Sequence, residues 1–179
     1  LVYDKDGDII RASQASDADR TVVGNGMPKF TMSTSHNFRY KAFDLSLFFR
    51  GAFGYDIFNI HDFYYGTRNF TGNRLTKAYA KNIVISPTAN PVVCDYFLER
   101  GDYFKLDMVT LGYTFKPQNW RFLERVRLYA TMKNVFTLTK FSGVDPSTYQ
   151  VNGLTPGGQG SRTYFPSTRQ VIAGVQIDF

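Results

Sequence analysis

Between positions 30 and 40 the residues fall into two phases: Phe30, Met32, Thr34, His36, Phe38 and Tyr40 in one, and Thr31, Ser33, Ser35, Asn37 and Arg39 in the other. A period of two is that of a β-strand with unlike faces, and a run of this length matches a tilted strand crossing a bilayer. After a tight turn at Lys41-Ala42 the alternation resumes. Phe43, Leu45, Leu47, Phe49, Gly51, Phe53, Tyr55 and Ile57 face one way, and Asp44, Ser46, Phe48, Arg50, Ala52, Gly54 and Asp56 the other. The two runs predict a long antiparallel hairpin over 30–40 and 43–58.

Three further runs follow. Over 104–115 the apolar phase switches, from Phe104, Leu106 and Met108 to Val109, Leu111, Tyr113 and Phe115. One extra residue near Met108 and Val109 would return both sets to the same face, so the slip predicts a β-bulge there. Over 126–138 the alternation is Val126, Leu128, Ala130 and Met132 against Arg127, Tyr129, Thr131 and Lys133. Over 169–179 it is Val171, Ala173, Val175, Ile177 and Phe179 against Gln170, Ile172, Gly174, Gln176 and Asp178.

Short links join the first strand to the second and the third to the fourth, whereas long segments, 59–103 and 139–168, separate the other pairs. This alternation is the arrangement of an outer-membrane barrel, with short periplasmic turns and long extracellular loops. Aromatics gather at both strand ends, Tyr40, Phe43, Tyr113, Phe115, Trp120, Phe122 and Phe179 near the short turns and Phe53, Tyr55, Phe58, Phe136 and Phe141 toward the long loops. Two such girdles mark lipid-water interfaces. A soluble β-sandwich alternates too. The length of these strands and a face rich in Ser, Thr, Asn, Gln and Arg favour the all-β, antiparallel transmembrane barrel. Membrane barrels begin at about eight strands, so five predict part of a larger closed sheet.

Composition sharpens this picture. The chain has 179 residues, 17% of them aromatic, too many for a disordered segment. Mean hydropathy is −0.27, and no window holds the roughly 18 apolar residues of a membrane helix, which says nothing against alternating strands. The net charge of +6 comes from Lys and Arg residues that are never adjacent, a spread unlike a nucleic-acid footprint. A lone Cys94 forms no internal disulfide, and it reads as a small apolar residue. His36 and His61 lie in different segments with no nucleophile elbow near either, so nothing points to an enzyme. The chain opens on Leu1 with no signal peptide before it, which reads as a processed or cut end.

Asp4, Asp6 and Asp8 around Gly7 resemble the start of a calcium loop, but the twelfth position is Ala15 where an EF-hand needs Glu. The sequence therefore points to no cofactor and no metal site, calcium at a looser carboxylate site of Asp4, Asp6 and Asp8 being set against an ordinary solvated turn. Loop aromatics offer stacking faces for sugars, Tyr64 and Tyr65 in the first long segment and Tyr149 and Tyr164 in the second, although packing within a loop accounts for such residues as well.

Several motifs in order carry a family resemblance. Gly101-Asp102-Tyr103-Phe104-Lys105-Leu106-Asp107-Met108-Val109-Thr110-Leu111-Gly112-Tyr113-Thr114-Phe115 resembles a strand signature of SusC/RagA-family TonB-dependent outer-membrane transporters of Bacteroidota. Val126 to Thr137, the loop entry Lys140-Phe141-Ser142-Gly143-Val144-Asp145-Pro146, and the ending Ser167 to Phe179 are similar to the strands and loop that follow it. Upstream, Asp4 to Asp8, Asp19 to Asn25 and Pro28 to Thr31 match a further block of that family. The resemblance implies the last five strands of a roughly 22-stranded barrel, with the TonB box and plug domain absent from this chain. It implies nutrient import, of glycan or peptide, across the outer membrane with a SusD-like surface lipoprotein as partner, and coupling to the TonB complex through the missing N-terminal part. It also implies that Phe179, with Ile177 and Val175 behind it, is the signal read by barrel-assembly machinery. A surface adhesin or binding protein without active transport is the alternative.

Overall fold

The computed structural model of the chain describes residues 2–4, 6–11, 14–66, 93–117, 122–148 and 167–179. They form two compact units. In chain order the strands are β1 (Val2–Tyr3), β2 (Ile9–Ile10), β3 (Phe30–Tyr40), β4 (Phe43–Phe53), β5 (Asp56–Phe58), β6 (Leu98–Arg100), β7 (Tyr103–Phe115), β8 (Arg125–Thr139) and β9 (Gln170–Asp178), with one short helix, α1 (Ile60–Tyr65).

The sheet unit, drawn from Lys29–Phe53, Asp102–Thr139 and Ser167–Phe179, is five antiparallel strands in the order β3-β4-β7-β8-β9. Its register lines up the apolar phase of every strand. Phe38, Leu45, Leu111, Ala130 and Ala173 form one row across the sheet, and Tyr40, Phe43, Tyr113, Leu128 and Val175 the next but one. This face is open: Phe38 is 57% exposed, Leu111 50% and Val175 59%. Apolar rows aligned over five strands and uncovered among the described residues, opposite a polar face, form the wall of a β-barrel and not half of a water-soluble sandwich. Among the described residues no strand pairs with the outer edge of β3 or of β9.

The turn between β3 and β4 is tight, with Lys41 in the left-handed region at φ 52°. At the same end of the sheet the Phe43 and Tyr113 rings lie 4.8 Å apart and Tyr113 stacks on Phe115 at 6.0 Å, one of the two expected aromatic girdles. Trp120 lies outside the described residues.

The expected bulge is present one position earlier than the apolar pattern placed it. Phe48 pairs with Met108 and Phe49 with Leu106, so Asp107 is the extra residue on β7. Leu106 and Val109 thereby share the apolar face, while Met108 falls in the polar phase. Charge explains the position. Asp107 faces Arg50 Nε at 2.9 Å and Lys105 Nζ at 3.9 Å, and these cations follow the polar phase of their own strands. The β8 side is irregular too, since Leu106 pairs with Phe136 but Met108 with Lys133. There Asn134 adopts φ 54°, and its Nδ2 donates to Ser167 O at 2.9 Å. Asn134→Ala is expected to cost about 1–2 kcal/mol, from left-handed strain together with an abandoned carbonyl, and Asn134→Gly to cost less. Chemical denaturation of both variants checks the order.

The second expected strand, 43–58, is corrected. It ends at Phe53, where Gly54 turns the chain at φ 79°, and the alternation continues into β5 of the other unit. That loop unit is drawn from the described parts of Leu1–Pro28, Gly54–Gly101 and Lys140–Pro166. β5 pairs with β6 through Asp56 with Arg100, Ile57 with Glu99 and Phe58 with Leu98. Around this hairpin lies a core of its own: Ile57 is fully buried and Tyr55, Phe97 and Phe141 nearly so. The girdle expected at the long-loop end therefore loses Tyr55, Phe58 and Phe141. Tyr55 and Phe141 are buried and Phe58 packs against Phe63 and Phe97, so packing within the loop unit takes precedence over an interfacial position.

Candidate functional site

Two places concentrate polar chemistry, one in each unit. On the polar face of the sheet, Arg127 forms a bidentate pair with Asp44, Nε to Oδ1 at 3.0 Å and Nη2 to Oδ2 at 2.5 Å. The pair spans from β8 to β4 across Gly112 of β7, and the guanidinium also lies 5.3 Å from the centre of the Tyr129 ring. Arg125 pairs with Asp178, its registered partner on β9. Ser46 donates to Asn37 Oδ1 at 2.7 Å, and the Thr110 and Thr131 hydroxyls meet at 2.9 Å. The face is thus a cross-strand polar network, suited to contact with water. His36 sits with the apolar phase, bonded to Thr34 Oγ1 through Nε2 at 3.2 Å and packed against Phe38 and Phe49.

The loop unit holds a second network, centred on Glu99. Its Oε1 accepts from Asn59 Nδ2 at 2.9 Å and Ser142 Oγ at 2.7 Å, and its Oε2 from Ser142 N at 2.7 Å. One carboxylate thereby staples three distant pieces of chain. Asn59 also caps α1, its Oδ1 accepting from Asp62 N at 3.0 Å, the satisfaction of an otherwise orphaned helix donor. Tyr55 OH donates to Pro146 O at 3.3 Å, and Asp145 accepts from Ser147 N and Oγ. The rings of Phe58, Phe63 and Phe97 meet at 5.2–6.0 Å from centre to centre.

The expected stacking residues fall unevenly. Tyr64 and Tyr65 share α1 and are half-buried, Tyr64 edge-on against Phe63 at 5.0 Å and Tyr65 6.3 Å from His61. Tyr149 and Tyr164 lie outside the described residues. Phe179, Ile177 and Val175 share the open apolar face, Phe179 being 83% exposed. At the acidic turn, Asp4 Oδ1 accepts from the Asp6 and Asp8 amides at 2.9 and 2.8 Å, with Gly7 at φ 88° between them. That carboxylate oxygen already closes the β1–β2 turn, and among the described residues no three His, Cys, Asp or Glu side chains cluster to hold a metal ion. Burial pushes the half-buried Cys94 thiol up, which keeps it protonated and unreactive. The sequence reading missed Glu99, Asn59 and Ser142, and also the Asp44–Arg127 pair, since no local spacing links residues so far apart.

Burial holds the His61 imidazole below its ordinary value, and its Nδ1 is buried with no hydrogen-bond partner among the described residues. A lowered folded pKa means that unfolding takes up a proton. The stability of the loop unit is therefore full above about pH 6.5 and falls as the pH drops below it. Proteolytic nicking near α1 is expected to rise on acidification and to become flat with pH in His61→Gln.

No family model matches the chain. Among curated proteins, TonB-dependent receptor P3 of Formosa agariphila is 28% identical across all of this chain, which covers 19% of that receptor. TonB-dependent receptor SusC of Bacteroides thetaiotaomicron is 27% identical over 83% of the chain and 15% of its own length. Among solved structures, the RagAB peptide importer in its closed-closed state superposes with a TM-score of 0.73 at 24% identity, over 99% of this chain and 20% of that one. In the open-open state the TM-score is 0.72 at 22% identity. The chain thus spans about a fifth of the length of these relatives. Over most of its length the chain is similar in sequence to TonB-dependent receptors, SusC among them, and its five-stranded antiparallel sheet shares the fold of part of the RagAB structures, a partial β-barrel.

Proposed function

We propose that the chain is part of an outer-membrane TonB-dependent transporter that imports a glycan or peptide nutrient together with a SusD-like surface lipoprotein. The observation that carries this reading is the registered, uncovered apolar face, with a charged and hydroxyl-rich face behind it. In this reading the apolar rows meet lipid, the polar network lines the interior, and the long segments 59–103 and 139–168 are extracellular loops. There Tyr64, Tyr65, Tyr149 and Tyr164 contact cargo or lid. Phe179, Ile177 and Val175 serve barrel assembly. The peptide class has a precedent in the RagAB peptide importer, and the loop tyrosines offer stacking faces to a glycan.

The test uses native cells and two fluorescent cargo sets, oligosaccharides and oligopeptides. Uptake of one set is expected to vanish on deleting the gene, on deleting TonB and on deleting the neighbouring lipoprotein gene. Cargo that binds the cell surface equally well with and without TonB would instead establish the adhesin reading.

A further inference from the structure

Period-two strands carry an ambiguity that hydrophobic patterning cannot remove. A slip of one residue turns every side chain to the wrong face, but a slip of two restores apolar on apolar and polar on polar. The hairpin turn fixes β3 against β4, and the bulge at Asp107 helps to fix β7. The β8–β9 ladder has neither. It runs from Lys133 with Gln170 to Arg125 with Asp178 without a shift, and a long segment joins the two strands.

What distinguishes one even register from the next is a row containing two glycines. Asp44, Gly112, Tyr129 and Gly174 are consecutive partners across β4, β7, β8 and β9. At Gly112 a Cβ would lie 2.6 Å from Asp44 Oδ2 and 2.7 Å from Arg127 Nη2. At Gly174 it would lie 2.5 Å from Tyr129 Cζ. The ion pair and the phenol ring thus lie flat over bare backbone. Sliding β7 by two brings Thr110 or Thr114 beneath the pair, and sliding β9 by two brings Ile172 or Gln176 beneath the ring. The same β9 slip also separates Arg125 from Asp178.

We propose that Gly112 and Gly174 are register keys, slots that admit the Asp44–Arg127 pair and the Tyr129 ring in one even register only and so select it during assembly. The glycines are positioning residues, and the inference stands on the sheet whatever cargo it serves.

The test reads register directly by cross-strand disulfide trapping in the protein as its native cells produce it. Ala130→Cys is paired either with Ala173→Cys, its partner in the structure, or with Val171→Cys, its partner after a slip of two. With the natural slots, only the first pair is expected to crosslink. Moving the slot, Gly174→Ile with Ile172→Gly, is expected to shift the dominant crosslink to the second pair. Tyr129→Ala introduces no clash, so it assembles even where the moved slot does not. It is expected to raise the slipped crosslink about tenfold, on the scale of relieving the overpacked contact between that ring and Ile172 or Gln176. A crosslink confined to Ala130 and Ala173 in Tyr129→Ala overturns the proposal, as does the same result in an assembled moved-slot variant.

Discussion

Leu111→Arg is expected to remove about 2–4 kcal/mol of folding stability in a bilayer, the cost of a cation near mid-depth on the lipid face of a barrel strand. In water the expectation would be different. Leu111 is 50% exposed, and a half-exposed position away from any core tolerates most substitutions to within about 0.5 kcal/mol. The large loss arises only because Leu45, Ala130 and Ala173 continue the same row toward a medium that offers a guanidinium no hydrogen bonds. Thr110→Arg is the control. Thr110 points to the opposite face, where its hydroxyl meets Thr131, and the expected loss there is about 1 kcal/mol, that of one neutral hydrogen bond. Urea titrations of protein refolded into lipid vesicles measure both. Equal, small losses would remove the lipid-facing assignment, and with it the reading that the open apolar rows belong in a membrane.

Phe97→Ala is expected to cost the loop unit about 3–5 kcal/mol while leaving the barrel assembled. Phe97 is 2% exposed, and the rings of Phe58, Phe63 and Tyr96 pack around it at 5.1–6.0 Å. Truncation empties the centre of this aromatic cluster. The expected result on intact cells is rapid protease cleavage in the 54–66 and 93–101 segments, with the heat-modifiable band of the folded barrel unchanged. Loops that stay as resistant as before would mean that the Glu99 staple alone holds them.

The strands were legible because a period of two is local: Phe43, Leu45 and Leu47 announce their face without reference to any partner. The overrun to 58 has the same origin. Tyr55 and Ile57 keep the alternation because they too enter a strand, and only the partner changes, from β7 to β6. The bulge was legible in kind but not in place. Met108 is tolerated in either phase, so the apolar pattern could not choose between neighbours, and the ion pairs of Asp107 with Arg50 and Lys105 decide it. The Glu99 node was not legible at all. Asn59 and Ser142 lie 40 and 43 positions from Glu99, and polar residues joined only by chain closure leave no periodic trace. Tyr64 and Tyr65 were singled out for exposed faces. The aromatic ring nearest each of them shows how much of such a face packing consumes.

The separate core of the loop unit bears on how such a protein changes over time. Selection that alters a surface works through substitutions, and most substitutions also destabilise the body that carries them. In the loop unit such losses fall on Phe97, Ile57 and Glu99, whereas the rows of the sheet are set by strand register. A lineage of such chains can therefore rewrite the loop core and keep the sheet register, because different residues set the two.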